Sequence, residues 1–448
     1  FAGGIWLDAA DNQPSLWRDA TNVEFDEGSI TKTGGLQQDF TTTAPPSGLA
    51  GTSVLGVPRL YVGAGSQLLM REGALPLVIG SGFAAGGLWS LISYGTWLFA
   101  TNGINPPQIW KNAGLSTSIP SMPFATARIV RKLEVFPMFF KGTEVCWPAY
   151  DNPEDFVPGP GKRAGQFFIR DLDGEIAAVE PLGENLLVYY AQDMYGFVRF
   201  VGGETAMAIK SVAGGIGAVG PNSVVVAGQF HFGLSRKGMW QFDGNSWRYL
   251  MPPSVGRWFN SMIDWSKAET AAMVHDEQAQ SVSLFFTCKD DVRRGLTYTY
   301  AGTMQGRWSK LEMPVFASAE QGAHNWPLVG TSTGVSRFGM GNNLGTDPLP
   351  ASLVSAPLDM GSTDTHKRWQ MLEVHKDNVI GLFEFRVGYS NSVQEAPDWT
   401  DWAVVSKENW LEDRESILLT VEFRSLGLGA TWRLTGMEIH GVVTGRRR

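Results

Sequence analysis

A chain of 448 residues is long for one hydrophobic core, and its length predicts two or three domains. The content of 53 Gly, 25 Phe and 17 Trp, with only 18% charged residues, indicates tight turns and aromatic-rich strands, and so predicts an all-β fold rather than disorder. A net charge of −8, without any basic run longer than Arg446-Arg447-Arg448, argues against a protein that grips nucleic-acid phosphates.

The sequence carries no sign of a membrane span or a secretion signal. No run approaches the roughly 18 apolar residues that a membrane helix needs. The first residues, FAGGIWLDAADNQ, lack a basic region followed by a long apolar one. Cys146 and Cys288 are too few for a disulfide framework and are predicted to be free thiols. We therefore expect a soluble protein that folds in a reducing compartment.

A hairpin is predicted close to the start of the chain. In residues 17–35, WRDATNVEFDEGSITKTGG, apolar and polar side chains alternate on both sides of Asp26-Glu27-Gly28, where the glycine can take positive φ. An isolated two-stranded hairpin is marginal in water, so this one is expected to pack on the domain that follows it or on the C-terminal domain. Residues 1–45 are expected to form an N-terminal hairpin or arm.

A pair of short strands recurs at intervals of about 40–50 residues, which is the period of four-stranded propeller blades. Six or seven such units suit radial closure, which protects strand edges. Residues 46–348 are therefore predicted to form a degenerate β-propeller, with a chain of β-sandwiches as the alternative. The units begin at Arg59, Trp97, Val135, Leu186, Phe230, Leu284 and Leu328.

Two stretches interrupt this repeat and are expected on the propeller rim. Residues 153–166, PEDFVPGPGKRAGQ, are rich in Pro, Gly and charge, which predicts a long loop. Residues 252–272 place Trp258, Met262 and Trp265 near helical spacing after two prolines, and are the best helix candidate. After them, longer alternating strands predict a C-terminal β-sandwich over residues 349–448.

Motifs for catalysis or metal binding are not evident in the sequence. The six histidines show neither H-x₃-H nor HExxH spacing, so no metal site is predicted, and His231 is interpreted as structural. No nucleophile elbow, P-loop or dinucleotide fingerprint is present, so no cofactor is predicted. Asp151, Glu154 and Asp155 can be the paired carboxylates of a glycosidase or charges of a solvated loop, and the loop is the favoured interpretation.

Several stretches resemble bacteriophage virion proteins. The opening pattern A-x-N-V-x-F-x-x-G-x-I-x-K-x-G-G spans residues 20–35, and VCWPAYDNPEDFVPG follows in the centre of the chain. FHFGLSRKGMWQFDG, NSMID, QGRWS and the ending WRLTGMEIHGVVTGRRR are similar to such chains as well. Together these stretches resemble the podophage tail nozzle family, also called tail tubular protein B or tail hub, over essentially the whole chain.

This resemblance implies a structural protein of the virion tail and not an enzyme. Members of the family are built on a β-propeller with added β domains and form a hexameric ring below the adaptor, around the channel through which the genome leaves. The implied partners are further copies of the chain, the adaptor, tail fibre, spike or needle proteins, and DNA that passes without sequence-specific binding or a membrane span. The protein is expected to be synthesised in the host cytoplasm and to reside in the virion.

Under this reading the interface or lumen candidates are charged residues of the rim loop at 154–163, of KDDVRRG and of the C-terminus. A carbohydrate-binding or glycoside-cleaving propeller is the alternative, and another neck or baseplate component of a phage particle is a third possibility. The candidate residues are Glu154, Asp155, Lys162, Arg163, Arg293, Arg294, Arg446, Arg447 and Arg448.

Overall fold

The computed structural model describes residues 17–26, 28–73, 75–172, 174–202, 207–212, 214–300, 306–319 and 326–446. Within these ranges nearly all regular structure is β-strand, and the predicted all-β class is confirmed. Helix α1 (Pro253–Met262) and a 3₁₀-helix (Trp265–Thr270) fall in the stretch predicted to be helical. Proline suits the first turn of α1 because its fixed φ is already helical. No helix in the described ranges is long and apolar enough to cross a membrane.

Four strands precede the repeat, and two of them form the predicted hairpin. They are β1 (Trp17–Thr21), β2 (Val23–Asp26), β3 (Ser29–Lys32) and β4 (Leu36–Thr41). β2 and β3 are antiparallel, with Asp26 opposite Ser29, and Gly28 between them has a φ of 75°. Glycine suits this turn because it adopts positive φ without steric cost.

Five four-stranded antiparallel sheets follow along the chain, which we number as blades one to five. Blades one and two contain β5 (Pro46–Val54), β6 (Val57–Ala64), β7 (Gln67–Arg71), β8 (Pro76–Ser81), β9 (Ser90–Tyr94), β10 (Trp97–Thr101), β11 (Gln108–Trp110) and β12 (Thr117–Ser118). Blades three and four contain β13 (Ile129–Leu133), β14 (Phe136–Lys141), β15 (Glu144–Trp147), β16 (Gly165–Phe168), β17 (Ala178–Pro181), β18 (Leu186–Tyr190), β19 (Tyr195–Phe200) and β20 (Met207–Val212). Blade five contains β21 (Val224–Ala227), β22 (Phe230–Ser235), β23 (Gly238–Phe242) and β24 (Trp247–Tyr249).

Blades six and seven complete the propeller. Blade six contains β25 (Ala272–Asp276), β26 (Ser281–Thr287), β27 (Arg293–Thr299) and β28 (Arg307–Leu311). Blade seven contains β29 (Ala317–Ala319), β30 (Leu328–Thr331) and β31 (Gly334–Phe338), and the short strands β32 (Asn343–Leu344) and β33 (Asp347–Pro348) extend its sheet. Its fourth strand is β4, from before blade one, which pairs antiparallel with β31. The start of the chain thus closes the last blade.

The seven innermost strands form a closed ring, because each packs beside the next and β29 packs beside β5. Seven separate hydrophobic clusters lie between neighbouring blades, one at each junction. The propeller is therefore held together by packing between blades rather than by one central core. Cys146 and Cys288 are buried free thiols, as predicted.

The remaining strands form a β-sandwich with the first three strands of the chain. They are β34 (Ala351–Ser355), β35 (Thr365–Ile380), β36 (Glu384–Ser390), β37 (Asp398–Trp399), β38 (Ala403–Val404), β39 (Glu408–Trp410), β40 (Glu415–Ser416), β41 (Leu418–Ser425) and β42 (Thr431–Arg446). One sheet has the order β1-β34-β41-β36-β37, with β38 also paired with β36. The other has the order β2-β3-β42-β35-β39, with β40 also paired with β35. A single core that includes Trp369, Phe383 and Trp432 lies between the two sheets.

Residues 17–41 of the predicted N-terminal hairpin or arm are divided between the two domains, and residues 1–16 lie outside the described residues. Trp17, Phe25 and Ile30 are buried in the sandwich core, whereas β4 belongs to blade seven. β1 also pairs with β28 through Thr21 and Lys310, so the first sandwich sheet continues from blade six. The segment lies there because its apolar faces find partners only in these two sheets.

Glu24 on β2 carries an acidic side chain toward blade six. Burial, followed by the charge of Asp276 at the end of β25, raises the pKa of Glu24 from 4.5 to about 7. The folded protein therefore holds this proton more tightly than the unfolded chain does. The associated stability is fully present below pH 4.5 and is lost as the pH rises through 7.

We expect Glu24→Gln to raise the free energy of unfolding at pH 8 by about 1–2 kcal/mol, because the amide has no charge to desolvate. The gain is smaller than the shift in pKa alone would give, because the half-buried side chain of Glu24 is partly screened by solvent. At pH 4 the variant and the wild type should be equally stable. Urea unfolding at both pH values measures the difference. Glu184→Gln, in an exposed turn, should have little effect at either pH, and a gain for Glu24→Gln that is the same at both would contradict the assignment.

Candidate functional site

The innermost strands surround a cavity of about 770 Å³ on the propeller axis. Every blade contributes to its wall, for example through Leu49, Ile92, Lys132, Glu180, Val225, His275 and Ser318. Asn222, before β21, donates a side-chain hydrogen bond of 2.8 Å to the carbonyl of Ser47 on β5. This bond spans from blade five to blade one and crosses the axis. The volume is that of a small-molecule pocket, about 300–1,000 Å³.

An ion pair in the cavity wall joins three blades. The guanidinium of Arg131 on β13 donates two hydrogen bonds, of 2.5 and 3.2 Å, to the carboxylate of Glu180 on β17. The same group donates a hydrogen bond of 2.8 Å to the hydroxyl of Ser90 on β9. Both side chains are largely buried, and the two parallel hydrogen bonds fix the orientation of the guanidinium relative to the carboxylate. The pair orders the inner strands of blades two, three and four.

Glu154, Asp155 and Lys162 of the rim loop form ion pairs within the subunit. The loop joins β15 to the outermost strand β16 of blade three. Glu154 pairs with Lys111 of blade two at 2.7 Å, and Asp155 pairs with Lys162 at 2.7 Å. The hydrogen bond from Lys162 is the largest of the effects that lower the pKa of Asp155. Each carboxylate therefore has its own lysine, which does not suit the proton donor of a glycosidase.

Arg163 lies at the end of the same loop and contributes packing. Its guanidinium carbon lies 5.3 Å from the centre of the Tyr150 ring, and its carbonyl accepts a hydrogen bond of 2.7 Å from the indole of Trp147. Its φ is 61°, in the left-handed region that non-glycine residues seldom adopt. The loop is thus a fixed structure on the blade rim.

Arg293 does not lie on a surface, which corrects its selection as an interface or lumen candidate. Its side chain is buried beside blade seven, where it donates hydrogen bonds to the carbonyls of Val315 and Thr270 and stacks on Phe316 at 4.7 Å. Burial lowers its pKa to about 10. Arg294, on the opposite face of the strand, pairs with Asp290 at 2.8 Å. Alternation along β27 separates the two side chains.

The C-terminal candidates lie at the edge of the described chain. Arg446 is the last residue of β42. Arg447 and Arg448 lie outside the described residues.

The outer rim of blade three exposes an apolar set that sequence reasoning missed. Tyr150 and Val157 lie in the rim loop, and Phe167 and Phe168 lie on the edge strand β16. All four are between 46% and 54% exposed, and we call them the blade-three surface. Among the strands that the structure describes, none pairs with the outer side of β16. Phe167 and Phe168 therefore lie on the two faces of an edge strand. In the sequence, the two adjacent phenylalanines of the rim stretch were the feature that could have indicated this surface.

The sandwich exposes a second apolar set on two adjacent loops. Ile380 is the last residue of β35 and Leu382 follows in the β35–β36 loop, while Leu426 and Leu428 lie in the β41–β42 loop. They are between 46% and 64% exposed, and we call them the sandwich-loop surface. The amide of Gly429 donates a hydrogen bond of 2.7 Å to Asn343, next to blade seven. The second loop is thus attached to the propeller.

The two surfaces lie on blade three and on the sandwich, which are on opposite sides of the propeller ring. The sandwich is joined to blade six through β1 and to blade seven through β4 and Asn343. In a ring of seven blades, blade three is three positions from blade six in one direction and three positions from blade seven in the other. It is therefore as far from the sandwich as the propeller allows.

Comparisons with known proteins found similar solved structures at low sequence identity. No family model and no curated protein sequence matches the chain. A chain of the Mitotic Checkpoint Complex is similar with 8% identity and a TM-score of 0.44, over 74% of this chain and 96% of that one. U3-55K is similar with 9% identity and a TM-score of 0.46, over 68% of this chain and 98% of that one. BBS1N in complex with ARL6DN is similar with 12% identity and a TM-score of 0.40, over 69% of this chain and 97% of that one. Resemblance at these levels carries no conclusion about activity or partners.

Proposed function

We propose that the chain is a non-enzymatic structural subunit that assembles head to tail into a closed ring, and that this ring is the nozzle or hub of a bacteriophage tail. The observation that carries the proposal is the pair of apolar surfaces on blade three and on the sandwich, on opposite sides of the propeller ring. Exposed apolar residues that cluster on neighbouring loops and strands mark interaction sites. A closed ring needs two different surfaces, since each subunit meets its two neighbours through different patches.

The axial cavity favours a path for DNA through the ring rather than through a subunit. The bond between Asn222 and Ser47 crosses the axis, so a genome channel must be enclosed by several subunits. The net charge of −8 suits such a channel, because a polyanion adheres weakly to an acidic wall. Arg294 is paired with Asp290, which further reduces the cationic groups available to phosphates.

The place of the ring in the particle follows from the resemblance of residues 20–35 and of the central and C-terminal stretches to tail nozzle proteins. Six copies would sit below the adaptor and carry fibre, spike or needle proteins in the virion. The opening pattern, residues 20–35, has a structural role in this chain. Its strands complete the sandwich sheet, and its two final glycines lead into the strand that closes blade seven.

We expect the wild type to form rings, alone or with the adaptor, and each single-surface variant to lose them. The blade-three variant is Phe167→Thr with Phe168→Thr, which keeps a residue of high strand propensity. The sandwich-loop variant is Leu382→Ser with Leu428→Ser. Light scattering and negative-stain microscopy measure mass and shape. Because each variant retains one intact surface, their mixture should give one-to-one dimers that do not grow.

Leu55→Ser, at a residue that is 97% exposed in the β5–β6 turn, is the matched control and should leave rings intact. A wild type that stays monomeric alone and with adaptor complexes would refute ring formation. Homodimers of either variant alone would show that the surfaces pair with themselves and would refute head-to-tail assembly. Cleavage or binding of a glycan by a monomeric wild type would favour the alternative function.

A further inference from the structure

Two strands of the sandwich carry the same short pattern of a glutamate, an apolar residue and a histidine. The pattern is Glu373-Val374-His375 on β35 and Glu438-Ile439-His440 on β42. The two strands are antiparallel neighbours, and their register places Glu373 directly opposite Glu438. Each histidine is therefore diagonal to the glutamate of the other strand. The arrangement has approximate two-fold symmetry.

All four polar side chains lie on the solvent side of the sheet. Val374 is buried in the sandwich core and Ile439 packs against that core. Since successive side chains alternate between faces, the flanking glutamates and histidines point away from the core. They stand on two long, hydrogen-bonded strands, which hold their backbones in fixed positions.

The side chains converge to distances that suit a shared cation. One ligand atom each from Glu373, Glu438 and His440 lie within 4.8 Å of one another. Nε2 of His440 lies 4.0 Å from Oε2 of Glu373, and Nε2 of His375 lies 3.4 Å from Oε1 of Glu438. Ligands of a tetrahedral zinc ion, with bonds of about 2.0–2.1 Å, are about 3.3 Å apart.

We propose that Glu373, Glu438 and His440 bind one divalent transition-metal ion of the zinc type. The donor set decides the class of metal. Imidazole nitrogen combined with carboxylate oxygen suits Zn²⁺ and its neighbours, whereas Ca²⁺ and Mg²⁺ take oxygen ligands alone. The ion would cross-link β35 and β42 on the outer face of the sandwich.

Lys407 is the competing group at this site. Its Nζ lies 3.6 Å from Oε1 of Glu373, and its side chain is 73% exposed. The ammonium and a metal ion cannot both occupy that side of the carboxylate. Because the lysine is largely exposed, it can move into solvent when the metal binds.

Titration of tag-free protein with Zn²⁺ by calorimetry, and with Co²⁺ by visible absorption, tests the site. The wild type should bind one ion, and His440→Gln and Glu438→Gln should each weaken binding about tenfold or more. Lys407→Gln should tighten it severalfold. Zn²⁺ should raise the unfolding midpoint of the wild type and not of His440→Gln, because only a protein that binds the ion is stabilised by it.

His366→Gln is the matched control, since His366 is on the same strand opposite Gly445, away from the cluster. This variant should bind as the wild type does. The proposal is wrong if the wild type takes up no Zn²⁺ or Co²⁺, if it prefers Ca²⁺, or if His366→Gln lowers the affinity as much as His440→Gln. The test does not involve ring formation, so its outcome is independent of the proposed function.

Discussion

Replacing Gly35 by alanine is expected to lower the free energy of unfolding by about 2–4 kcal/mol, because the new Cβ has no room. Gly35 lies between β3 of the sandwich and β4 of blade seven. A Cβ built there lies 2.0 Å from the carbonyl oxygen of Asn343 and 2.7 Å from its amide nitrogen. Both are backbone atoms, so they cannot move aside as a flexible side chain can. The strand that closes the propeller must shift instead.

The loss should be concentrated in blade seven. Gly35 donates a backbone hydrogen bond of 2.9 Å to Gly341, and Leu36 opposite Phe338 begins the pairing of β4 with β31. Urea unfolding measures the change in stability, and hydrogen exchange of β4 and β31 locates it. An unfolding midpoint within error of the wild type would contradict the close approach.

Gly445→Ala is the matched control for this experiment. No atom lies within 4 Å of a Cβ built at Gly445, and its φ is outside the left-handed region. Its effect should stay within about 0.5 kcal/mol. Equal losses for the two substitutions would mean that the loss of glycine itself, and not the contact with Asn343, is responsible.

His231 should make the protein sensitive to acid. It is fully buried on β22, where its Nε2 lies 2.8 Å from the carbonyl of Pro181 and its Nδ1 lies 2.6 Å from the hydroxyl of Tyr190. A carbonyl only accepts, so Nε2 carries the proton and Nδ1 accepts from the tyrosine. Burial lowers the pKa of His231 from 6.5 to about 4. The neutral form joins blades four and five.

The sign of the pH effect follows from this lowered pKa. Between pH 6.5 and 4 the unfolded chain binds a proton at His231 that the folded protein does not. The stability due to the neutral histidine is therefore complete above pH 6.5 and is lost as the pH falls to about 4. The loss should reach about 3 kcal/mol.

His231→Gln should reduce the slope of the free energy of unfolding against pH in this window by the equivalent of one proton taken up on unfolding. This holds even if the variant is less stable at neutral pH. Urea unfolding at several pH values between 4 and 8 gives the slope. An unchanged slope for His231→Gln would show that another group causes the acid sensitivity.

The blade repeat was readable from the sequence because hairpins are local. Alternation and turn residues specify a strand pair within about 20 residues, and seven such pairs recur along the chain. Helix α1 was readable for the same reason, since Pro253 and the apolar spacing that follows it act over one or two turns. These features depend on neighbouring residues alone.

The candidate sites were much harder to predict from the sequence, because the sequence does not show which group a charged side chain contacts in the folded protein. Arg293 and Arg294 are adjacent, yet one is buried against carbonyls and the other pairs with Asp290 on the surface. The two Glu-x-His patterns show no ligand spacing within either strand. They became a candidate metal centre only when the register of β35 and β42 brought them together.

The sequence by itself determined that the protein is all-β, that short hairpins recur with the period of propeller blades, and that longer strands follow them. Only the tertiary structure decided that the blades number seven, that β4 closes the last of them, and that β1 to β3 complete the sandwich. The physical reason is the range of the interactions. A strand's own side chains set its existence and its two faces, whereas its partner is selected by the packing of surfaces far apart in the chain, such as Leu36 beside Phe338.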